Sequence, residues 1–311
     1  GQTGKDGEWT DRYLVCDHLV EPKLARPVQR FEAVWTPRQL SSHQYAARAL
    51  REIVDRAFGQ TRSAWSEGKV LTEHDLQDFI LSLFQEYGLI TKDPPIVAVN
   101  AHSADPHYCP DVEGSSPLRA GDLVLIDLWA KQKEAGSVYA DITWTGYMGD
   151  VAPQEYSDIF VVVAQARNAA LEFVQRSFRE GTSICGWQVD DVARQVIRQA
   201  GFGDCFIHRT GHSIGEEDHG NGANLDNLET RDERSIIPHT GFSIEPGIYL
   251  EGRFGIRSEI NVYVGEGEVI VTGLPIQTEV VPILFKNEWN RHPAGLTGLK
   301  PVPRCIGEKK T

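Results

Sequence analysis

Cysteines are few, and none is placed to do chemistry with another. The five (Cys16, Cys109, Cys185, Cys205 and Cys305) are scattered, odd in number, and form no C-x-x-C pair. That argues against a disulfide framework or a thiolate zinc site and makes a reducing, cytoplasmic setting the default expectation. No N-x-S/T sequon occurs. No run approaches the ~20 apolar residues of a membrane span, and the opening "GQTGKDGEWTDRY" has no apolar signal-peptide core. Positive charge is also short: 31 Lys and Arg stand against 44 Asp and Glu, for a net charge of −13 and a pI near 5.2. An acidic chain argues against nucleic acid or an anionic membrane as its main partner. A small substrate is not excluded, because a local site can oppose the global sign.

What is present is ordinary globular material. The chain has 311 residues with 41% hydrophobic content, enough for one large domain or two ordinary ones. Residues 1–36 lack clear periodicity and read as an N-terminal arm or domain remnant. From Thr36 to Phe58, apolar residues recur with a period near 3.6, which predicts a helix opened by Pro37. A second helix is expected at about 72–87, with Thr72 as its cap. "DLVLIDLWA" (122–130) is short and β-rich and reads as a buried strand, with 136–147 as its hairpin partner. Helices follow at about 155–179 and 188–200, the latter stopped by Gly201. Strands are then expected at 241–251, 255–264, 268–274 and 277–284. Each half thus runs two helices and then antiparallel strands, which suggests a duplicated α+β unit. The polar segment 286–311 reads as a C-terminal tail.

Four carboxylates interrupt apolar, strand-like surroundings: Asp127 in "VLIDLWA", Asp141 in "YADITWT", Glu245 in "FSIEPGIY" and Glu259 in "IRSEINV". Burying ionised carboxylates without a compensating charge is costly. A single one is more often structural, paired with Arg or capping a turn. Four of them, together with the histidines of "HRTGHSIGEEDHG" (208–220), call for a larger positive charge, which metal ions supply. Oxygen ligands with an imidazole suit Mn²⁺, Co²⁺ or Zn²⁺, and two ions sharing carboxylates can activate one water.

In these residues the chain resembles the pita-bread metallopeptidases, the fold of methionine aminopeptidase, aminopeptidase P and prolidase. The resemblance covers about residues 37–285, the expected catalytic domain. It rests on Asp127 and Asp141, on the "H-x-x-x-G-H-x-I-G" segment with a further His seven residues on, on "EPGIY", and on the R-x-E of "GIRSEI". It implies a pair of divalent ions, Mn²⁺ first, held by Asp127, Asp141, His212, Glu245 and Glu259. Glu245 would also shuttle a proton. His107 and His219 would contact the scissile carbonyl and the tetrahedral intermediate, with His208 and Arg257 at the substrate end. Arg231 or Arg234 could meet a free substrate carboxylate. The "EPGIY" form and His208 resemble the branch that cleaves Xaa-Pro bonds at peptide N-termini or in dipeptides. Methionine aminopeptidase-like activity and a non-catalytic binding module are the alternatives. The implied partners are short peptides, with a homodimer as a candidate assembly. The Asp127–Asp141 spacing is longer than the family commonly shows, so the extra residues must bulge at the hairpin tip.

Overall fold

A computed structural model describes residues 29–285. The first long helix, α1 (Pro37–Ser66), starts on a capping box: Thr36 Oγ1 accepts from Gln39 N (3.3 Å) and Gln39 Oε1 accepts from Thr36 N (2.8 Å). It runs eight residues past the expected end. Gly59 has open space around it and does not stop the helix, and the chain turns only at Gly68, whose φ is +73°. Helix α2 (Glu73–Glu86) opens on the same device at Thr72 and Asp75. Two short strands that the sequence reading missed follow, β1 (Leu89–Ile90) and β2 (Ile96–Val99). The hairpin is β3 (Leu123–Gln132) and β4 (Ala140–Tyr147).

The second half repeats the order. Helices α3 (Gln154–Arg179) and α4 (Gly186–Gln199) precede β5 (Ser213–Ile214), β6 (Thr240–Ile244), β7 (Gly247–Leu250), β8 (Phe254–Arg257), β9 (Ile260–Val264) and β10 (Val269–Thr272). A final bridge strand, β11 (Val281–Pro282), pairs in parallel with β4. The sheets run β1-β3-β4-β11, with β2 also on β3, and β10-β9-β6-β5, with β7-β8 as a separate ribbon.

Each half buries its own core. One face of the β3–β4 hairpin (Ile126, Leu128, Ala130, Ala140, Ile142 and Trp144) packs with α1 and α2. The second core joins α3 and α4 to β6–β9. Trp35, inside the segment expected to be an arm, is buried, and with Tyr139, Ile214 and Tyr263 it forms a cluster between the halves. His43 crosses the same boundary, bonding Tyr139 O (2.6 Å) and Thr272 Oγ1 (2.7 Å). Burial lowers its pKa to about 4, so it is a neutral core histidine. The halves also meet along the outer edge of β4, where two side-chain amides act as strand partners. Asn261 bonds Asp141 N (2.9 Å) and O (2.6 Å), and Gln277 bonds Thr145 N (3.0 Å) and O (2.6 Å).

Candidate metal centre

Strand alternation sets the first two acids. Asp127 pairs with Thr143 and Asp141 with Trp129, so Asp127, Asp141 and Thr143 share the hairpin face opposite the helix core. The added length between the two acids lies beyond the last β3–β4 pair, Ala130–Ala140, and leaves the register intact. Trp144 points the other way, into the core, with the Arg51 guanidinium 3.7 Å from its ring centroid.

The two glutamates are placed differently from the expectation. The strands foreseen at 241–251 and 255–264 are each broken, and the breaks face one another. Pairing runs to Ile244–Ile260 on one side and resumes at Gly247–Arg257 on the other. Glu245–Pro246 and Ser258–Glu259 fill the gap. Pro246 has no N–H to give a ladder. The two glutamate amides turn elsewhere, Glu245 N to Thr210 O (2.7 Å) and Glu259 N to Thr143 O (3.4 Å). Arg167 of α3 clamps the break by donating to Ser258 Oγ (2.5 Å) and Gln277 O (2.9 Å). The strand expected at 277–284 is likewise reduced to β11, because Gln277 meets β4 through its side chain.

His212 enters between Gly211 and β5. A Cβ on Gly211 would stand 2.0 Å from Ser243 O, so glycine lets this backbone lie against β6. His212 N donates to Ser243 Oγ (2.9 Å), and Ser243 Oγ donates to Glu245 Oε1 (3.0 Å). His212 Nδ1 lies 3.1 Å from Ser213 O, which puts its proton there and the Nε2 lone pair inward. Nε2 faces Asp141 Oδ2 and Glu245 Oε1, each at 3.4 Å. Burial lowers the His212 pKa although Glu245 opposes this. A lone pair turned on two carboxylates repels them unless a proton or a metal cation lies between.

The remaining electrostatics agree. Arg257 is ion-paired with Asp127, and its Nε donates to Thr143 Oγ1 (2.8 Å). The Thr143 hydroxyl lies 3.0 Å from Asp127 Oδ1 and 2.8 Å from Glu259 Oε2. Burial disfavours the Arg257 charge, but Asp127, Tyr249, Glu245 and Glu259 together outweigh it. Asp141 and Glu259 are held well above the usual carboxylate range, by burial first and by the neighbouring acids second. Asp141 Oδ1 and Glu259 Oε1 are buried without any hydrogen-bond partner. Asp141, His212 and Glu259 bring ligand atoms within 4.8 Å of one another. Four carboxylates, one imidazole presenting a free nitrogen, and orphaned oxygens fit hard or borderline divalent ions. The Nδ1–H to carbonyl bond is the outer-shell contact that metal-ligating histidines generally make.

Around this cluster stand the other residues singled out from sequence. His208 has both nitrogens engaged, with Arg209 O (2.7 Å) and Tyr249 OH (2.8 Å). Burial and then the Arg257 charge lower its pKa to about 3. The His219 ring lies 4.2 Å from the His212 ring, tilted by 45°. The neighbouring His212 lowers its pKa. Arg209 Nη2 points at His219 Nδ1 (3.3 Å), which leaves the His219 proton on Nε2. His107 is exposed on the loop after β2. Its neighbour His102 is a satisfied histidine: it bonds the buried Glu73, which also takes Val99 N, Tyr108 OH and Ser116 N. Arg234 forks onto Asp232, while Arg231 lies over the Trp187 ring (4.2 Å) and pairs with Glu233 (3.6 Å). Sequence reasoning passed over Thr143, Ser243, Tyr249 and Asp218. Thr143 could have been found from its place two residues beyond Asp141, on the same face of one strand.

A model of metallopeptidase family M24 matches residues 42–266. The chain belongs to metallopeptidase family M24. Among curated proteins, "Probable dipeptidase PepE" of Mycobacterium tuberculosis is 33% identical over 193 residues, 60% of this chain and 46% of that one. An "Uncharacterized peptidase" of Staphylococcus aureus is 27% identical over 231 residues, 72% of this chain and 59% of that one. This M24 chain therefore spans about half the length of the curated relatives it matches. Among solved structures, recombinant prolidase from Thermococcus sibiricus superposes with a TM-score of 0.67 at 26% identity, covering 82% of this chain and 63% of that one. X-Pro aminopeptidase from Thermotoga maritima gives 0.66 at 28% identity, covering 82% and 66%. The α+β pita-bread fold expected from the sequence is the fold found.

Proposed function

We propose that this chain carries the catalytic domain of a divalent-metal-dependent exopeptidase that hydrolyses the bond preceding proline, at peptide N-termini or in dipeptides. The observation that carries the reading is the arrangement around His212. An inward imidazole lone pair faces Asp141 and Glu245 at 3.4 Å, beside buried carboxylate oxygens that have no partner. Asp127, Asp141, His212, Glu245 and Glu259 would hold two ions, with Mn²⁺, Co²⁺ and Zn²⁺ all compatible with the donors. When bound, the ions supply Lewis acidity, polarising the carbonyl and lowering the pKa of water.

The protein's own groups do the rest. Glu245, oriented by Ser243 at 3.0 Å, takes a proton from the attacking water and delivers it to the leaving nitrogen. A proline nitrogen has no N–H and leaves only if protonated. His219, with its proton on Nε2, and His107 donate hydrogen bonds to the developing oxyanion. Losing such a donor costs roughly 3 kcal/mol, or about 10²–10³ in rate. His208 acts through the Tyr249 hydroxyl, and Arg257 balances Asp127. Both arginines considered for a substrate carboxylate have acidic partners of their own, Arg234 with Asp232 and Arg231 with Glu233.

A peptide panel in Mn²⁺ tests the reading. Ala-Pro or Ala-Pro-Ala should be cleaved and Met-Ala-Ser should not. Cleavage of Met-Ala-Ser alone would replace the proposal with methionine aminopeptidase activity, and no cleavage of any peptide would favour a binding module.

A further inference from the structure

Asp218 lies outside the ligand set above, yet it lies beside the centre. Its carboxylate comes within 4.8 Å of ligand nitrogens of His212 and His219. The side chain is a quarter exposed, but its Oδ1 is buried and has no hydrogen-bond partner. The loop around it is fixed. Glu216 takes Gln39 Nε2 at 3.1 Å and its carbonyl takes Lys131 Nζ, while Glu217 pairs with Lys92. Gly215 O accepts Tyr139 N (3.0 Å) and Gly220 N donates to Ser213 O (2.7 Å). Two neighbouring acids thus face outward to cations or amides, and Asp218 is held on the inner side. Burial and the nearby acids push the Asp218 carboxyl above the usual carboxylate range, and Arg209, whose charge opposes this, directs its Nη2 at His219.

A buried carboxylate oxygen without a donor is costly, so the occupant should be a cationic donor. A metal ion on His212, Asp218 and His219 is a poor choice. His212 has one nitrogen free, the other being on Ser213 O, and the free one already faces Asp141 and Glu245. One nitrogen cannot serve both sets. What remains is a hydrogen-bonding organic cation arriving from solvent past His219, whose side chain is 61% exposed. An exopeptidase substrate brings one: its α-ammonium, with a pKa of about 7.7–8.0, is largely charged at neutral pH.

Building on the exopeptidase reading, we propose that Asp218 is a specificity-determining residue that receives the free α-ammonium of the substrate and so selects unblocked peptide N-termini. The test uses the full chain loaded with Mn²⁺ and two uncleavable ligands. One is the ketomethylene isostere of Ala-Pro, with a ring CH in place of the scissile proline nitrogen. The other is the same compound without its α-amino group. Calorimetry should show Asp218→Asn weakening the amino ligand by about tenfold or more, with the des-amino ligand within about twofold and the Mn²⁺ content per chain unchanged. Equal weakening of both ligands, loss of bound Mn²⁺, or no preference of the parent protein for the amino ligand would each overturn the assignment. If that preference holds and Asp218→Asn removes it while Ala-Pro and Ala-Pro-Ala go uncleaved, the peptidase reading fails and the ammonium site stands.

Discussion

At the scale of the residue, the chemistry turns on charges that the protein cannot satisfy by itself. Asp127 has Arg257, but Asp141 and Glu259 keep oxygens with no donor, and His212 turns a lone pair on two acids. Removing one donor should therefore cost metal and activity more than fold. Asp127→Asn and His212→Ala should each lower turnover by more than about 10²-fold and reduce bound Mn²⁺, with far-ultraviolet circular dichroism unchanged. Near-normal turnover in either would show the cluster to be misassigned. These residues were legible in sequence because an acid inside an apolar, strand-like run carries a desolvation penalty that needs a reason. Asp218 was not, because it sits among Glu216, Glu217 and His219 in a stretch that reads as a solvated turn. Only the fold shows that Glu216 and Glu217 face outward and that Asp218 does not.

At the scale of the element, the helices and the β3–β4 hairpin follow from periodicity and capping chemistry, and their bounds came out close to those read from sequence except at the end of α1, which runs eight residues further. The later strands did not. "GFSIEPGIYLE" and "GIRSEINVYV" each read as one strand, since their apolar content is continuous, yet each breaks at its glutamate. The cause is non-local: the amides of Glu245 and Glu259 are claimed by Thr210 O and Thr143 O, residues far away in sequence. The short β1 and β2 were missed for a similar reason, since both exist as partners of β3. The close approach of Gly211 to β6 gives a prediction. Because a methyl group there would stand 2.0 Å from Ser243 O, Gly211→Ala must push the His212 segment off β6. Equilibrium denaturation should show a loss of roughly 1–3 kcal/mol, and Mn²⁺ affinity should fall with it. An unchanged affinity would mean that this backbone contact does not set the position of His212.

At the scale of the whole molecule, the two α+β halves meet at the site. The hairpin of the first half supplies Asp127 and Asp141, and the second half supplies His212, Glu245 and Glu259. Asn261 and Gln277 stitch the second half to the outer edge of β4, so the five proposed ligands approach one another only in the assembled fold. A metal ion bound by both halves should stabilise the native state and not the unfolded one, raising the melting temperature with metal concentration. The most direct test of the account is therefore to count metal and melt the same samples. After reconstitution with Mn²⁺, elemental analysis should give two ions per chain, with a melting temperature above that of the metal-free protein and cleavage of Ala-Pro peptides. Less than about one ion per chain, no thermal shift and no peptidase activity would contradict it.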